Sequence, residues 1–295
     1  EKETVYDVLG VFDFARRNEI DLMNGSVDFI RVPLPGGHVF KSLKIPRVLH
    51  DGKIINLPKL KTHVSAKMTC GMKNLIGFLP NSEKRRVHIW GVHPSIADIS
   101  RVLRPVLTVV DAITCLEGDG PTYGDKVDLG IIISGKDTLS TDKVCSQIIG
   151  LPWEQVEYIR LVNGELSKDE VKVVGESIEK VTLPFKIPEK GAIFHICFKL
   201  IYIFDVLFST LFSKPLNQVL YGTGYVGTNP KIVKENCNRC GDCVAVCPVE
   251  GVIDIQTYKI DYKTCIRCME CYFACKNQAI TVKGFSRPEK HAQDR

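Results

Sequence analysis

Eight of the twelve cysteines in this 295-residue chain crowd between Cys237 and Cys275, at the short regular spacing of a metal centre. Cys237, Cys240, Cys243 and Cys247 follow a C-x2-C-x2-C-x3-C run, and Cys265, Cys268, Cys271 and Cys275 repeat it. The flanks repeat in register. Lys231-Ile232 matches Lys259-Ile260, and Arg239 matches Arg267. Three cysteines at this spacing can wrap one face of an iron–sulfur cubane, while the fourth points away and ligates the other cluster. Cluster one is therefore expected on Cys237, Cys240, Cys243 and Cys275. Cluster two is expected on Cys265, Cys268, Cys271 and Cys247. Crossed ligation ties the repeats together, so a domain with little apolar core can fold around its metal. Structural zinc is the competing reading, but one zinc needs four ligands and two complete runs exceed that.

A second set of residues lies far upstream. On an extended segment Lys59, Lys61 and His63 share one face, because side chains alternate. Lys67, Lys73 and Asn74 follow, and together these groups could hold a carboxylate or phosphate. Asp111 is expected just past a strand, with Glu117 and Asp119 on the Gly/Pro-rich loop after it. Three carboxylates there could bind a hard cation or act as acid and base; ordinary turn chemistry is the plainer alternative. His88 and His93 flank Trp90-Gly91 with no identifiable metal partner and read as structural or surface groups. Cys145 and Cys197 fall in apolar helical patterns and read as core. Cys70 and Cys115 sit beside the two candidate loops.

The elements that must position these groups alternate. Ile54–Leu57, Val106–Val110 and Leu129–Ser134 read as strands. Pro94–Leu103 and Thr138–Ile149 read as helices, the second stopped by Gly150. The expected fold is α/β, a layered and mostly parallel sheet with helices, followed by a small α+β domain. The expected boundaries are 1–190 for the α/β domain, 191–229 for an apolar helix and linker, and 230–295 for the two-cluster domain with a polar tail.

Residues 191–212 have the length to span a bilayer, but His195, Lys199 and Asp205 interrupt them. A docking helix is the first reading, membrane-surface contact the second and a true span the last. Gly222-Thr-Gly224-Tyr-Val-Gly227 matches a dinucleotide pattern on paper, without the strand-to-helix turn that gives it meaning. The net charge of +5 comes without any run of five like charges, which gives nucleic-acid binding no support. Crowded thiols imply a compartment that keeps them reduced, so the expected setting is the cytoplasm, in an anaerobe.

Two resemblances add to this. Residues 230 to 282 resemble the two-cluster bacterial ferredoxins, down to Cys247-Pro248; Lys276 replaces the proline after Cys275. A positive charge there would favour the reduced, more negative cluster. Upstream, Leu57-Pro-Lys-Leu-Lys-Thr-His63, Gly71-Met-Lys-Asn-Leu-Ile-Gly77, Val110-Asp-Ala-Ile113 and Glu117-Gly-Asp-Gly-Pro121 resemble an uncharacterised prokaryotic family. Its α/β domain of unknown function is often fused to a ferredoxin domain, and members usually carry more α/β sequence upstream. The resemblance implies that the chain starts partway into that domain, and it lends an architecture without a reaction.

The reading that follows is an iron–sulfur oxidoreductase component. Two 4Fe-4S clusters take electrons from a redox partner protein or low-potential carrier and pass them to an anionic small molecule at the α/β domain. A pure carrier or docking subunit, and a non-redox protein with structural clusters, are the other two classes.

Overall fold

A run rich in β-branched residues, Leu107-Thr-Val-Val, opens the central strand of the upstream region, β6 (Leu107–Glu117), in this computed structural model. The structure describes residues 10–23, 28–121, 124–166, 171–189, 200–201, 203–204, 229–262, 264–265 and 270–282. They fall into two units, each taken by itself below.

In the α/β unit the strands are β1 (Phe29–Pro33), β2 (Ser42–Pro46), β3 (Ile55–Asn56), β4 (Lys59–His63), β5 (Lys67–Thr69), β6 (Leu107–Glu117) and β7 (Asp125–Gly135). The helices that matter are α1 (Gly71–Asn74), α2 (Asn81–Trp90), α3 (Val92–Val102), α4 (Thr138–Ile148) and α5 (Glu157–Val162). β1 and β2 form a separate antiparallel hairpin. The main sheet is built around β6. β3 and β4 lie parallel along one of its edges in succession, and β7 runs antiparallel along the other. β5 returns antiparallel on β4. The α/β layering expected from sequence is present, with antiparallel strands flanking the parallel pairings.

Pro58 separates β3 from β4, since proline cannot donate to a ladder. Its carbonyl still accepts the Asp111 N–H at 2.9 Å, which keeps the line of the strand beside β6. Along β6, Thr108, Val110 and Ala112 face inward, and then Cys115 does. The alternation breaks at Ile113, which is exposed. There Leu129 and Gly130 of β7 oppose Ile113 alone, and Gly130 has a φ of 74°, a conformation that glycine takes without a Cβ clash.

Two apolar clusters hold this unit. Leu60, Met68, Met72, Ile96, Val110, Leu139, Cys145 and Tyr158 belong to one, with Cys145 in the core as expected. Phe40, Leu43, Ile45, Leu75, Leu79 and Ile99 belong to the other. Helix α3 shows its apolar face as Ile96 and Ile99, yet Asp98 between them is fully buried. Its carboxylate accepts the backbone N–H groups of His38, Val39 and Phe40 at 2.7, 2.9 and 2.9 Å, which answers its need for partners. Helix α4 starts where its sequence says it should. Asp137 caps it by accepting the Ser140 N–H at 2.7 Å.

The second unit contains β8 (Pro230–Ile232), α6 (Asp242–Ala245), β9 (Ile253–Asp254), β10 (Lys259–Ile260), α7 (Glu270–Ala274) and β11 (Ile280–Val282). A short helix, Val11–Arg17, also belongs to it. The sequence repeat becomes a structural exchange. β8 of the first repeat pairs with β11 of the second, and β9 of the first pairs with β10 of the second. A small core of Val252, Ile253, Ile260, Tyr272, Ala279, Ile280 and Val282 includes Cys243, Cys271 and Cys275.

Most of the apolar segment 191–212, the Gly222–Gly227 pattern, Cys197, Cys268 and Arg267 lie outside the described residues. Among the described residues no helix is long and apolar enough to cross a membrane.

Candidate metal centre and basic cluster

The exchanged strands bring cysteines of both repeats to one place. Cys237, Cys240 and Cys243 of the first run and Cys275 of the second line a single recess, with Asn238, Arg239 and Asn277 also at its wall. Burial pushes the Cys243 thiol up, and the nearness of Cys275, Cys237 and Cys240 adds to it. Four cysteines around one recess supply the four-thiolate ligand set that a cubane takes. Arg239 and Gly241 take φ values of 60° and 84° on either side of Cys240, and the Cys240 N–H donates to Asn238 Oδ1 at 3.1 Å, which fixes this turn of the chain. Cys247, Cys265 and Cys271 of the second set all pack on the same small core.

In the α/β unit the structure gathers bases. His63 is buried near the end of β4, and its Nδ1 accepts the Ser65 N–H at 3.1 Å. The neutral ring therefore carries its proton on Nε2. Burial is the first cause that drives its pKa down to about 2, followed by the charges of Lys73, His88, Lys61 and His93. Lys73, on α1, is lowered to about 8 by burial and then by Lys61. His88, on α2, is lowered to about 4 by burial and then by Lys73. Burial also lowers Lys61. β4, α1, α2 and α3 thus supply one basic cluster. The Oγ atoms of Ser65 and Ser95 and Thr69 Oγ1, on neighbouring segments of the chain, are buried with no hydrogen-bond partner.

Sequence reasoning found Lys61, His63 and Lys73 and gave His88 and His93 no partner. The structure brings both histidines within electrostatic reach of His63 from separate helices, and the signal that could have found them was their place on either side of Gly91. Other expectations change. Lys59 does not join the cluster; its Nζ lies 2.8 Å from Asp111 Oδ2. Lys67 closes the tight β4–β5 hairpin with a φ of 63°. Asn74 is a brace, donating from Nδ2 to Asn56 Oδ1 at 2.8 Å, while Asn56 holds the Gly71 carbonyl at 2.9 Å.

Asp111 is not past its strand. β6 runs six residues further, to Glu117. The second oxygen of Asp111 accepts the Ile113 N–H at 3.1 Å, at the irregularity in the ladder. Glu117 accepts the Lys186 N–H at 2.8 Å and pairs with Lys186 Nζ at 3.1 Å. Asp111 and Glu117 are thus each neutralised by a different lysine and form no acid–base pair. Cys70 and Cys115 are buried, and burial raises both thiols, Cys115 to about 11. Neither has the depressed pKa of a reactive cysteine.

One buried carboxylate escaped the sequence reading. Asp142 accepts the Met72 N–H at 3.1 Å and is raised to about 7 by burial. It anchors the start of α1, where a Cβ built on Gly71 would stand 2.6 Å from Thr138 and 2.8 Å from Asp142. Gly71 is required there by close approach.

Residues 229–276 match the family of the 4Fe-4S dicluster domain, and residues 1–147 match a domain of unknown function, DUF362. The pyruvate synthase subunit PorD of Methanocaldococcus jannaschii is 34% identical over 80 residues, 26% of this chain and 92% of that protein. The thylakoid-associated protein sll1697 of Synechocystis sp. is 31% identical over 119 residues, 38% of this chain and 37% of that protein. The uncharacterized protein MJ0749 of M. jannaschii is 37% identical over 60 residues, 20% of this chain. The chain spans 37% and 23% of the length of the last two. No solved structure matches it significantly. The ferredoxin match and the ring of cysteines agree on the cofactor, two 4Fe-4S clusters, and on a role in electron transfer. The chain thus joins a DUF362 domain in its N-terminal part to a two-cluster 4Fe-4S ferredoxin domain at residues 229–276, and by that second domain it belongs with the ferredoxins.

Proposed function

We propose that the protein is an iron–sulfur oxidoreductase component whose α/β domain binds the anionic molecule that its ferredoxin domain reduces or oxidises. Cys237, Cys240, Cys243 and Cys275 hold one cluster, and Cys265, Cys268, Cys271 and Cys247 hold the other. Each cubane, when bound, supplies one-electron exchange. The rest of the work falls to the chain. The cysteine thiolates would hold the irons in place. Lys61 and Lys73 attract and orient the anion, and neutral His63 presents Nε2–H as a donor. Fusion keeps donor and acceptor in one molecule, which raises their effective concentration.

The observation that carries this reading is the basic cluster. Among the described residues neither Lys61 nor Lys73 has an ion pair, although burial weakens both. Charges held out of water without a partner are costly, and a ligand anion removes the cost. The test is anaerobic titration of the reduced protein with small carboxylates and phosphate esters, watching cluster bleaching reverse. A substrate that reoxidises the wild type and fails with the Lys61→Ala/Lys73→Ala double variant supports the reading. Equal reoxidation of both proteins by every compound contradicts it.

A second reading is a dedicated carrier subunit of a larger redox complex. It is favoured by the near-complete coverage of a relative named as a subunit. It expects electron transfer to a partner protein that is indifferent to Lys61 and Lys73.

A further inference from the structure

The two repeats are alike in sequence but differ at the sulfurs of their last cysteines, Cys247 and Cys275. Cys275 Sγ accepts the Ala279 N–H at 3.2 Å. Its counterpart Cys247 Sγ points instead at the Val249 carbonyl, 3.2 Å away, which offers no proton to a thiolate. Arg239 lines the recess of Cys237, Cys240, Cys243 and Cys275. Its Nε donates to Tyr258 OH at 2.9 Å, and its guanidinium carbon lies 5.0 Å from the centre of that ring. Tyr258 directly precedes Lys259. The residue that precedes the matching Lys231 is Pro230, which offers no hydroxyl at the position that Tyr258 takes in the other repeat.

We propose that the cluster held by Cys237, Cys240, Cys243 and Cys275 is reduced first, and that Arg239, held by Tyr258, is a positioning residue that sets its lead over the other cluster. The inference rests on the ligand sets proposed above. Each reduction takes one electron from an external one-electron donor and adds one negative charge to a cubane. No bond is broken and no proton moves. An N–H aimed at a ligand sulfur and a nearby fixed cation both stabilise that added charge, which raises the potential. Arg239 is solvent-exposed, so its share shrinks with ionic strength, whereas the Ala279 hydrogen bond persists.

The test is an anaerobic potentiometric titration of the full chain with dithionite and mediators, followed by electron paramagnetic resonance. Iron and sulfide are counted in every sample. Cys275→Ser removes one ligand from cluster one alone and so identifies its signal. The expected wild type shows two midpoints, the higher belonging to the signal that Cys275→Ser perturbs. Arg239→Gln lowers that midpoint and leaves the other in place. Arg239→Lys restores part of the gap, and raising the salt narrows the gap in the wild type but not in Arg239→Gln. Tyr258→Phe moves the same midpoint in the same direction by less, and it decides alone if Arg239→Gln does not take up iron. Midpoints that do not move, that move together, or a higher midpoint on the other signal would overturn the tuning while leaving the ligand sets intact. A wild type with fewer than two cubanes would overturn the ligand sets, and the tuning with them.

Discussion

Lys59 and Asp111 face each other across the parallel pairing of β4 and β6, with Nζ 2.8 Å from Oδ2. Both side chains are about half exposed, at 45% and 50%. The hydrogen bond from Lys59 holds the Asp111 carboxyl below the usual carboxylate range. Exposed pairs of this kind contribute about 0–1 kcal/mol. Lys59→Ala and Asp111→Ala should each change the unfolding free energy by less than about 1 kcal/mol in urea titrations. Anion binding should be unchanged in both. A large loss of anion affinity in Lys59→Ala would place that lysine back in the site.

Gly71 tests the packing under the basic cluster. A methyl group there meets Thr138 and Asp142 inside ordinary contact distance, with Thr108 3.1 Å away. Overpacking of this kind typically costs about 1–3 kcal/mol. Gly71→Ala should lower stability by that order and weaken anion binding, because α1 carries Lys73. Calorimetric unfolding checks the first effect and phosphate titration the second.

The pH dependence of the same site has a definite sign. Lys73 is lowered from its ordinary 10.5 to about 8. Between those values the unfolded chain binds more protons than the folded one, so the stability of the ligand-free α/β unit should rise with pH across that window. Anion affinity should fall as pH passes 8, since Lys73 then loses its charge. His63, lowered to about 2, should stay neutral throughout and add no inflection near 6.5 to the binding curve. Isothermal titrations with inorganic phosphate from pH 6 to 10 would show both. Affinity that is flat across pH 8 in the wild type would remove Lys73 from the site.

Much of this protein is legible from local pattern, because its clearest chemistry is local. Ligand spacing within each cysteine run is fixed by a few residues of chain, and Asp137 announces α4 by a cap three residues from its partner. Longer-range facts were less visible. The β-branched run marks where β6 begins, but Asp111, Thr114 and Glu117 interrupt its far half, which reads as strand end and loop. The strand continues because β7 pairs with it along its length and Gly130 absorbs the slip in register. His88 and His93 come within electrostatic reach of His63 through the placement of α2 and α3, which no sequence period encodes.

Metal removal probes the second unit. Its core is small and three of its buried members are cluster cysteines. Stripping iron with a chelator under anaerobic conditions should unfold residues 230–282, seen as lost hydrogen-exchange protection there, while β6 and α4 keep theirs. Retained protection at Ile280–Val282 in iron-free protein would mean that the strands hold without the clusters.

The most direct measurement concerns Cys275. It belongs to the second cysteine run, yet it lines a recess with three cysteines of the first. In Cys275→Ala the Mössbauer and paramagnetic resonance signals of the cluster on Cys237, Cys240 and Cys243 should be lost or altered. The second cluster should remain, with iron falling from about eight to about four per chain. Loss of the cluster on Cys265, Cys268 and Cys271 instead, with the first one intact, would contradict the exchange of ligands between repeats.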